Sequence, residues 1–177
     1  MKMKNIICVI LILLTAGAGF AAHKGGKKMN MLAITSPVFK DQAPIPKKYS
    51  CEGEEINPPL LLHNVPKGAK SLALIVDDPD APSGTFVHWV VFNIPPETRE
   101  IIENSSPEGS MAGNNSINKT GYIAPCPPPG KVHHYRFKLY ALDSFLGLEE
   151  GSTKQEVEKA MSGHIISQAA LTGLYKR

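Results

Sequence analysis

Two apolar runs and the turn between them decide the fold: Ser71-Leu72-Ala73-Leu74-Ile75-Val76, then Asp77-Asp78-Pro79-Asp80-Ala81-Pro82, then Phe86-Val87-His88-Trp89-Val90-Val91-Phe92-Asn93-Ile94. The first run is compact and rich in strand formers, and the second ends at Pro95-Pro96. Both read as strands. Pro79 and Pro82 fix φ and remove two donors, so the intervening turn is stiff. Working outward, Tyr135 to Leu142 begins by alternating large apolar and polar residues, the pattern of a half-buried strand. Met31 to Ser36 is a shorter strand candidate closed by Pro37. Thr153-Lys154-Gln155-Glu156 has capping-box spacing, with Val157, Ala160 and Met161 on one face, and predicts a helix closed by Gly163. Ile165 to Leu171 is either a last strand or more helix, and Gly163 and Gly173 favour the strand. The body of the chain is therefore mainly β.

The 177 residues suit one domain with a real core. Hydrophobic residues make up 42% and charged ones 20%, which excludes a coiled coil and a polytopic membrane protein. The net charge of +3 misleads. Five basic side chains precede Met31, and from Leu32 onward 14 basic residues face 16 acidic ones. The body has no basic footprint for nucleic acid.

Lys2 and Lys4 precede the apolar run Ile6 to Leu14, which is followed by small residues up to Ala22. These are the parts of a secretory signal peptide, with cleavage after Ala18 or Ala21. The apolar run is far shorter than the roughly 20 residues that span a bilayer. The expected organisation is a signal peptide over 1–21, a flexible basic tail over 22–31 and one domain over 32–177. The mature protein is expected to be exported, periplasmic or secreted, with no stable membrane span. Cleavage removes Cys8 and leaves Cys51 and Cys126, which an oxidising compartment permits to pair. Two free buried thiols are the alternative.

Long turn-rich stretches at 41–59, 103–121 and 124–130 are unusual in a compact domain unless they build a site. The acidic turn can hold Asp78 and Asp80 at a sheet rim, to accept from imidazoles, to contact a cation (with His88 and His133, Asp78 could make a two-His-one-carboxylate site) or to form a plain Asx-turn. His88 sits inside an apolar strand and needs a partner for its polar edge. Pro125-Cys126-Pro127-Pro128-Pro129 precedes His133-His134-Tyr135, where His133 and Tyr135 point one way and His134 the other. Asn104, Asn114 and Asn118 each begin an Asn-x-Ser/Thr sequon, for which an Asn-rich loop is the plainer reading.

Together these pieces resemble the phosphatidylethanolamine-binding protein family, in its bacterial Raf-kinase-inhibitor-like branch. The resemblance rests on Asn57-Pro58-Pro59-Leu60, Asp78-Pro79-Asp80-Ala81-Pro82, His88-Trp89-Val90-Val91 and Asn93-Ile94-Pro95. It continues through Gly121-Tyr122, Pro125-Cys126-Pro127-Pro128, Gly130 to Tyr135, Tyr140-Ala141-Leu142-Asp143, Gly163-His164 and Leu171-Thr172-Gly173. It implies a two-sheet β-sandwich-like fold with a few peripheral helices and a small anion pocket. Carried over by motif, that pocket comprises Asp78, Asp80, Pro82, His88, Tyr122, Pro128 and His133, with a cis Ala81–Pro82 bond. Ala124, Asn118 and His63 stand where relatives usually carry Gly, Gly and Trp. Gly84-Thr85 replaces an Arg-bearing insertion of eukaryotic members, whose C-terminal helix has no counterpart here. In similar bacterial proteins the surface so uncovered takes part in homodimers.

The expected function is binding of a phosphate-bearing small molecule or lipid headgroup, with modulation of a partner enzyme of unknown identity. No cofactor, metal or catalytic residue is expected. The alternative is a hydrolase using the His/Asp pocket or Cys126, although Gly-x-Ser-x-Gly and His-Glu-x-x-His are both absent.

Overall fold

The computed structural model describes residues 31–177. The expected signal peptide and all but the last residue of the expected basic tail lie outside the described residues. The strands are β1 (Ala33–Thr35), β2 (Ala43–Pro44), β3 (Leu60–His63), β4 (Ser71–Asp78), β5 (Phe86–Ile94), β6 (Glu100–Ile101), β7 (Met111–Gly113), β8 (His133–Leu142) and β9 (Ile165–Tyr175). One α-helix, α1 (Lys154–Met161), and a 3-10 turn at Lys47–Tyr49 complete the described residues. A six-stranded sheet runs β2-β9-β8-β4-β5-β7, and a three-stranded sheet runs β1-β3-β6. The fold is mainly β, in two sheets, as the sequence predicts.

Strand β4 lies between β8 and β5 and is buried along its whole length. Its alternate residues feed two cores. Leu72, Leu74 and Val76 pack with Ile34, Leu60 and Leu62 of the small sheet. Ala73 and Ile75 pack on the other face with Leu146 and with Val157 and Met161 of α1. Helix α1 starts at the expected capping box, where Thr153 Oγ1 accepts from Glu156 N and Glu156 accepts from Thr153 N. Beyond Gly163 (φ 82°) the chain continues as strand β9, not as more helix.

Asp77 and Asp78 are the last residues of β4, although the sequence assigns them to the turn beyond it. Since pleated neighbours face opposite ways, the two carboxylates leave the sheet on opposite sides. Asp77 is 0% exposed and meets Arg136 Nε (3.0 Å), Lys138 Nζ (2.6 Å) and Lys154 Nζ (3.1 Å). Burial opposes its ionisation, but the hydrogen bonds and charges of Lys138 and Lys154 outweigh burial and hold the carboxyl below its ordinary range.

Removing that carboxylate leaves converging cations without their counter-charge. Asp77→Ala is expected to cost about 3 kcal/mol in urea unfolding at pH 7, whereas Asp80→Ala, at an exposed pair, costs under about 1 kcal/mol. Because the folded-state pKa is depressed, the Asp77 contribution is fully present above the unfolded value of about 3.9 and is lost as pH falls below it. Wild type should therefore lose more stability than Asp77→Ala between pH 5 and 3.

Candidate functional site

Asp78, 3% exposed, points to the face opposite Asp77. Its Oδ1 accepts from Asp80 N (2.8 Å), an Asx-turn, and its Oδ2 accepts from His133 Nδ1 (2.7 Å). Both readings of the acidic turn hold in one side chain. His133 is buried and His134 exposed, as strand alternation predicts. Because the carboxylate accepts, the proton lies on Nδ1 and leaves His133 Nε2 for another partner.

A bulge sets His88. Val76 pairs with Trp89 and Asp77 with Val87, so His88 is the extra residue between two registers. Alternation is reset there, and Trp89 joins Val91 in the core facing the small sheet, while Val87 packs with Val90 in the other core. The chain at Ile123 completes the bulge: Ile123 N donates to His88 O (2.9 Å), and His88 Nδ1 donates to Ile123 O (2.8 Å). A carbonyl can only accept, so Nδ1 carries the proton here too. Phe86 and Tyr135 flank the ring, with centroids at 4.8 and 5.0 Å. Burial pushes His88 below the ordinary imidazole pKa, against the Ile123 bond and the Asp78 charge, which favour protonation.

These groups line a cavity of about 180 Å³. That is roughly the volume of six liquid waters and less than a drug-sized site. Asp78, His88 and His133 stand on its sheet side, and Pro82, Ala124, Cys126 and Pro128 on its loop side. Five residues of the expected set (Asp78, Pro82, His88, Pro128 and His133) are thus brought together. Asp80 is not among the lining residues: its Oδ2 accepts from His134 N (2.8 Å) and Nδ1 (2.7 Å) at the surface. Tyr122 also stands apart, packed edge-on against Trp89 (5.6 Å) with its hydroxyl buried and unpaired. The expected cis Ala81–Pro82 bond is trans, since no described peptide bond is cis.

The lining residues outside the expected set are Ala81, Phe86, Ile123, Ala124, Cys126, Pro127 and Tyr135. Tyr135 had a signal, because it shares a strand face with His133. Burial raises its phenol pKa and keeps it a donor. Cys126 is bonded to Cys51, so it offers no thiolate nucleophile. Both Asp78 oxygens are engaged, and among the described residues no trio of His, Cys, Asp or Glu is arranged to hold a metal ion. No described helix is long and apolar enough to cross a membrane.

Fold and site together define a β-sheet protein with a small His/Asp cavity at one end of its large sheet. The family described as phosphatidylethanolamine-binding protein matches residues 35–176, and the chain belongs to it. A UPF0098 protein of Pyrococcus horikoshii is 46% identical, with 99% of this chain and 91% of that one covered. A Mycobacterium tuberculosis protein assigned provisionally as lipoprotein LppC is 43% identical, with 82% and 72% covered. Among solved structures, a phosphatidylethanolamine-binding protein homologue from Chlamydia trachomatis superposes with a TM-score of 0.80 at 44% identity. YbcL of E. coli, described as a member of the mammalian family, gives 0.78 at 30% identity. Each solved structure covers 84% of this chain and is itself 99% covered.

NMR of ¹⁵N-labelled imidazoles checks the site without any ligand. His88 is expected as the Nδ1–H tautomer at neutral pH, with a midpoint below the ordinary value of about 6.5. With the folded-state pKa depressed, the His88 contribution to stability is present above pH 6.5 and declines as pH falls from there through the folded midpoint. A midpoint above 6.5 would contradict the assigned environment.

Proposed function

We propose that the protein is an exported binding protein for small phosphate-bearing anions, lipid headgroups included, which bind in the His88/His133 cavity and tune a partner enzyme. The observation that carries this reading is the arrangement of the two imidazoles. Each is pinned through Nδ1, by Asp78 or by the Ile123 carbonyl, and each keeps Nε2 for a ligand. Family membership supports ligand binding in place of catalysis. Export is supported by the charged, apolar and small-residue order of residues 1–22, and by a disulfide of the kind oxidising compartments favour. The relative assigned provisionally as a lipoprotein agrees with export.

The electrostatics make binding depend on a proton. With Asp80 paired to His134 at the surface, Asp78 is the carboxylate left in the cavity. Neutral imidazoles pinned at Nδ1 present lone pairs at Nε2, which an anion's oxygens cannot approach. A proton on Nε2, taken from solvent or brought by the ligand as P–OH, turns each ring into a donor and offsets the carboxylate.

Calorimetric titration of inorganic phosphate is therefore expected to show tighter binding at pH 6 than at pH 8. Titration in buffers of different ionisation enthalpy should show net proton uptake. His133→Ala should weaken binding about tenfold or more, through loss of a charge-assisted bond. Equal affinity at both pH values, surviving both His88→Ala and His133→Ala, would place the ligand elsewhere.

A further inference from the structure

Beyond Ile123, which exchanges two hydrogen bonds with His88, the loop side of the cavity has few bonds to hold it. Ala124 to Gly130 contains prolines at 125, 127, 128 and 129, which have no N–H to donate. Its carbonyl at Pro125 accepts from Cys51 N (3.0 Å), Gly130 N reaches Arg177 O at 3.3 Å, and the exposed Arg177 Nη1 lies 3.4 Å from Cys126 Sγ. Cys51 thus makes both the first of these hydrogen bonds and the covalent link to Cys126, across 75 residues of chain. Consecutive prolines make such a segment a stiff piece and not a limp one. Gly130, at φ 111°, supplies a flexible end.

The Cys51 end is built differently. It follows the turn Lys47–Tyr49, where Ser50 N donates to Lys47 O (3.0 Å) and Gly53 N to Ser50 O (2.9 Å). A Cβ on Gly53 would collide with the Lys47 and Lys48 carbonyls, so that turn has no slack. Tyr175 of β9 donates to Glu52 Oε2 (2.6 Å) and lies 2.7 Å from Ser50 Oγ. Tyr49 is buried and donates to Glu103 Oε2 (2.8 Å). A rigid anchor is therefore joined by one covalent bond to a stiff, poorly hydrogen-bonded wall that lines the cavity through Ala124, Cys126, Pro127 and Pro128.

We infer that the Cys51–Cys126 bond gates the cavity: oxidised, it clamps the proline wall opposite His88 and His133, and reduced, it releases the wall and ligand affinity falls. The inference rests on the ligand reading above and adds its control. By thiol–disulfide exchange the Cys51–Cys126 S–S bond forms as the S–S bond of a disulfide-bearing oxidant breaks, the oxidant leaving as two thiols with the two electrons and two protons; a dithiol reverses the step by closing to its own cyclic disulfide. Cys126 is exposed, so such reagents reach it. A chain made in a reducing compartment would be silent toward phosphate ligands there and become competent after export.

The test titrates inorganic phosphate into oxidised protein, dithiothreitol-reduced protein and the Cys51→Ser/Cys126→Ser variant, with hydrogen-exchange mass spectrometry on each. Affinity should drop about tenfold or more in the reduced and variant proteins, the share lost when the competent state becomes a minor one. Exchange should rise in the segment 121–131 while the β4–β8 ladder stays protected. Equal affinity in oxidised and reduced protein overturns the gate. Wholesale loss of protection on reduction also overturns it, because the bond would then support the fold and not the wall. If oxidised protein binds no phosphate, or binds it regardless of His133→Ala, the ligand reading has failed, and the exchange data alone then judge whether the bond clamps the wall.

Discussion

A strand buried on both faces that ends in two consecutive carboxylates is the constraint on which this structure depends. Asp77 and Asp78 are 0% and 3% exposed, and neither can stay ionised there without strong partners. The pleat sends them apart, so each demands its own solution. Asp77 draws in Arg136 and Lys138 from β8 and Lys154 from α1, which fastens the helix to the sheet. Asp78 takes an N–H from its own turn and an imidazole from the start of β8, which makes one end of the sheet a site. The ion cluster and the candidate site are thus built from adjacent residues of one strand, by the same electrostatics on opposite sides.

The second determinant is the bulge at His88. Without it, strict alternation would send His88 and Trp89 to opposite faces. With it, Trp89 enters the core beneath the small sheet while His88 turns its ring between Phe86 and Tyr135 toward the cavity. A bulge leaves backbone groups unpaired, and Ile123 N satisfies one of them, the His88 carbonyl, while Ile123 O accepts from the His88 ring. That exchange fixes the start of the proline wall, so the same feature that aims the imidazole also sets the cavity's far side.

How legible this was in the sequence follows from what each signal depends on. Strands β4, β5 and β8 and helix α1 were readable because period, capping box and length are local properties. The small sheet was not: β3 and β6 span four and two residues, too short for a pattern, and exist because β1 and the core beneath them supply partners. The expected β1 shrank to Ala33–Thr35 for the same reason. His88 stood out as a polar residue inside an apolar strand, whereas Asp78 read as part of the acidic turn and His133 as the opening of a strand, and the family motif joined the three. Asp77 looked like part of the turn, since the cations that justify its burial lie about 60 and more residues further along the chain. Tyr122 and Asp80 were carried over by motif, and the structure turns one toward Trp89 and the other toward His134.

The tautomers of the two histidines bear on which anions the proposed site can favour. Both rings are committed at Nδ1 to acceptors that cannot return a proton, so Nε2 must gain one before it can donate to a ligand. A phosphomonoester near neutral pH exists partly as P–OH and can bring that proton itself. A phosphodiester carries none in that range and must wait for the imidazole to be protonated, which for His88 burial resists. The cavity's small volume acts in the same direction, because a monoester's phosphate is substituted on one side and needs only one exit. A diester headgroup must leave by two. In the proposed site, volume and proton placement, set respectively by the proline wall and by the partners of Nδ1, would together favour a terminal phosphate, such as that of a free phosphomonoester headgroup, over a bridging one.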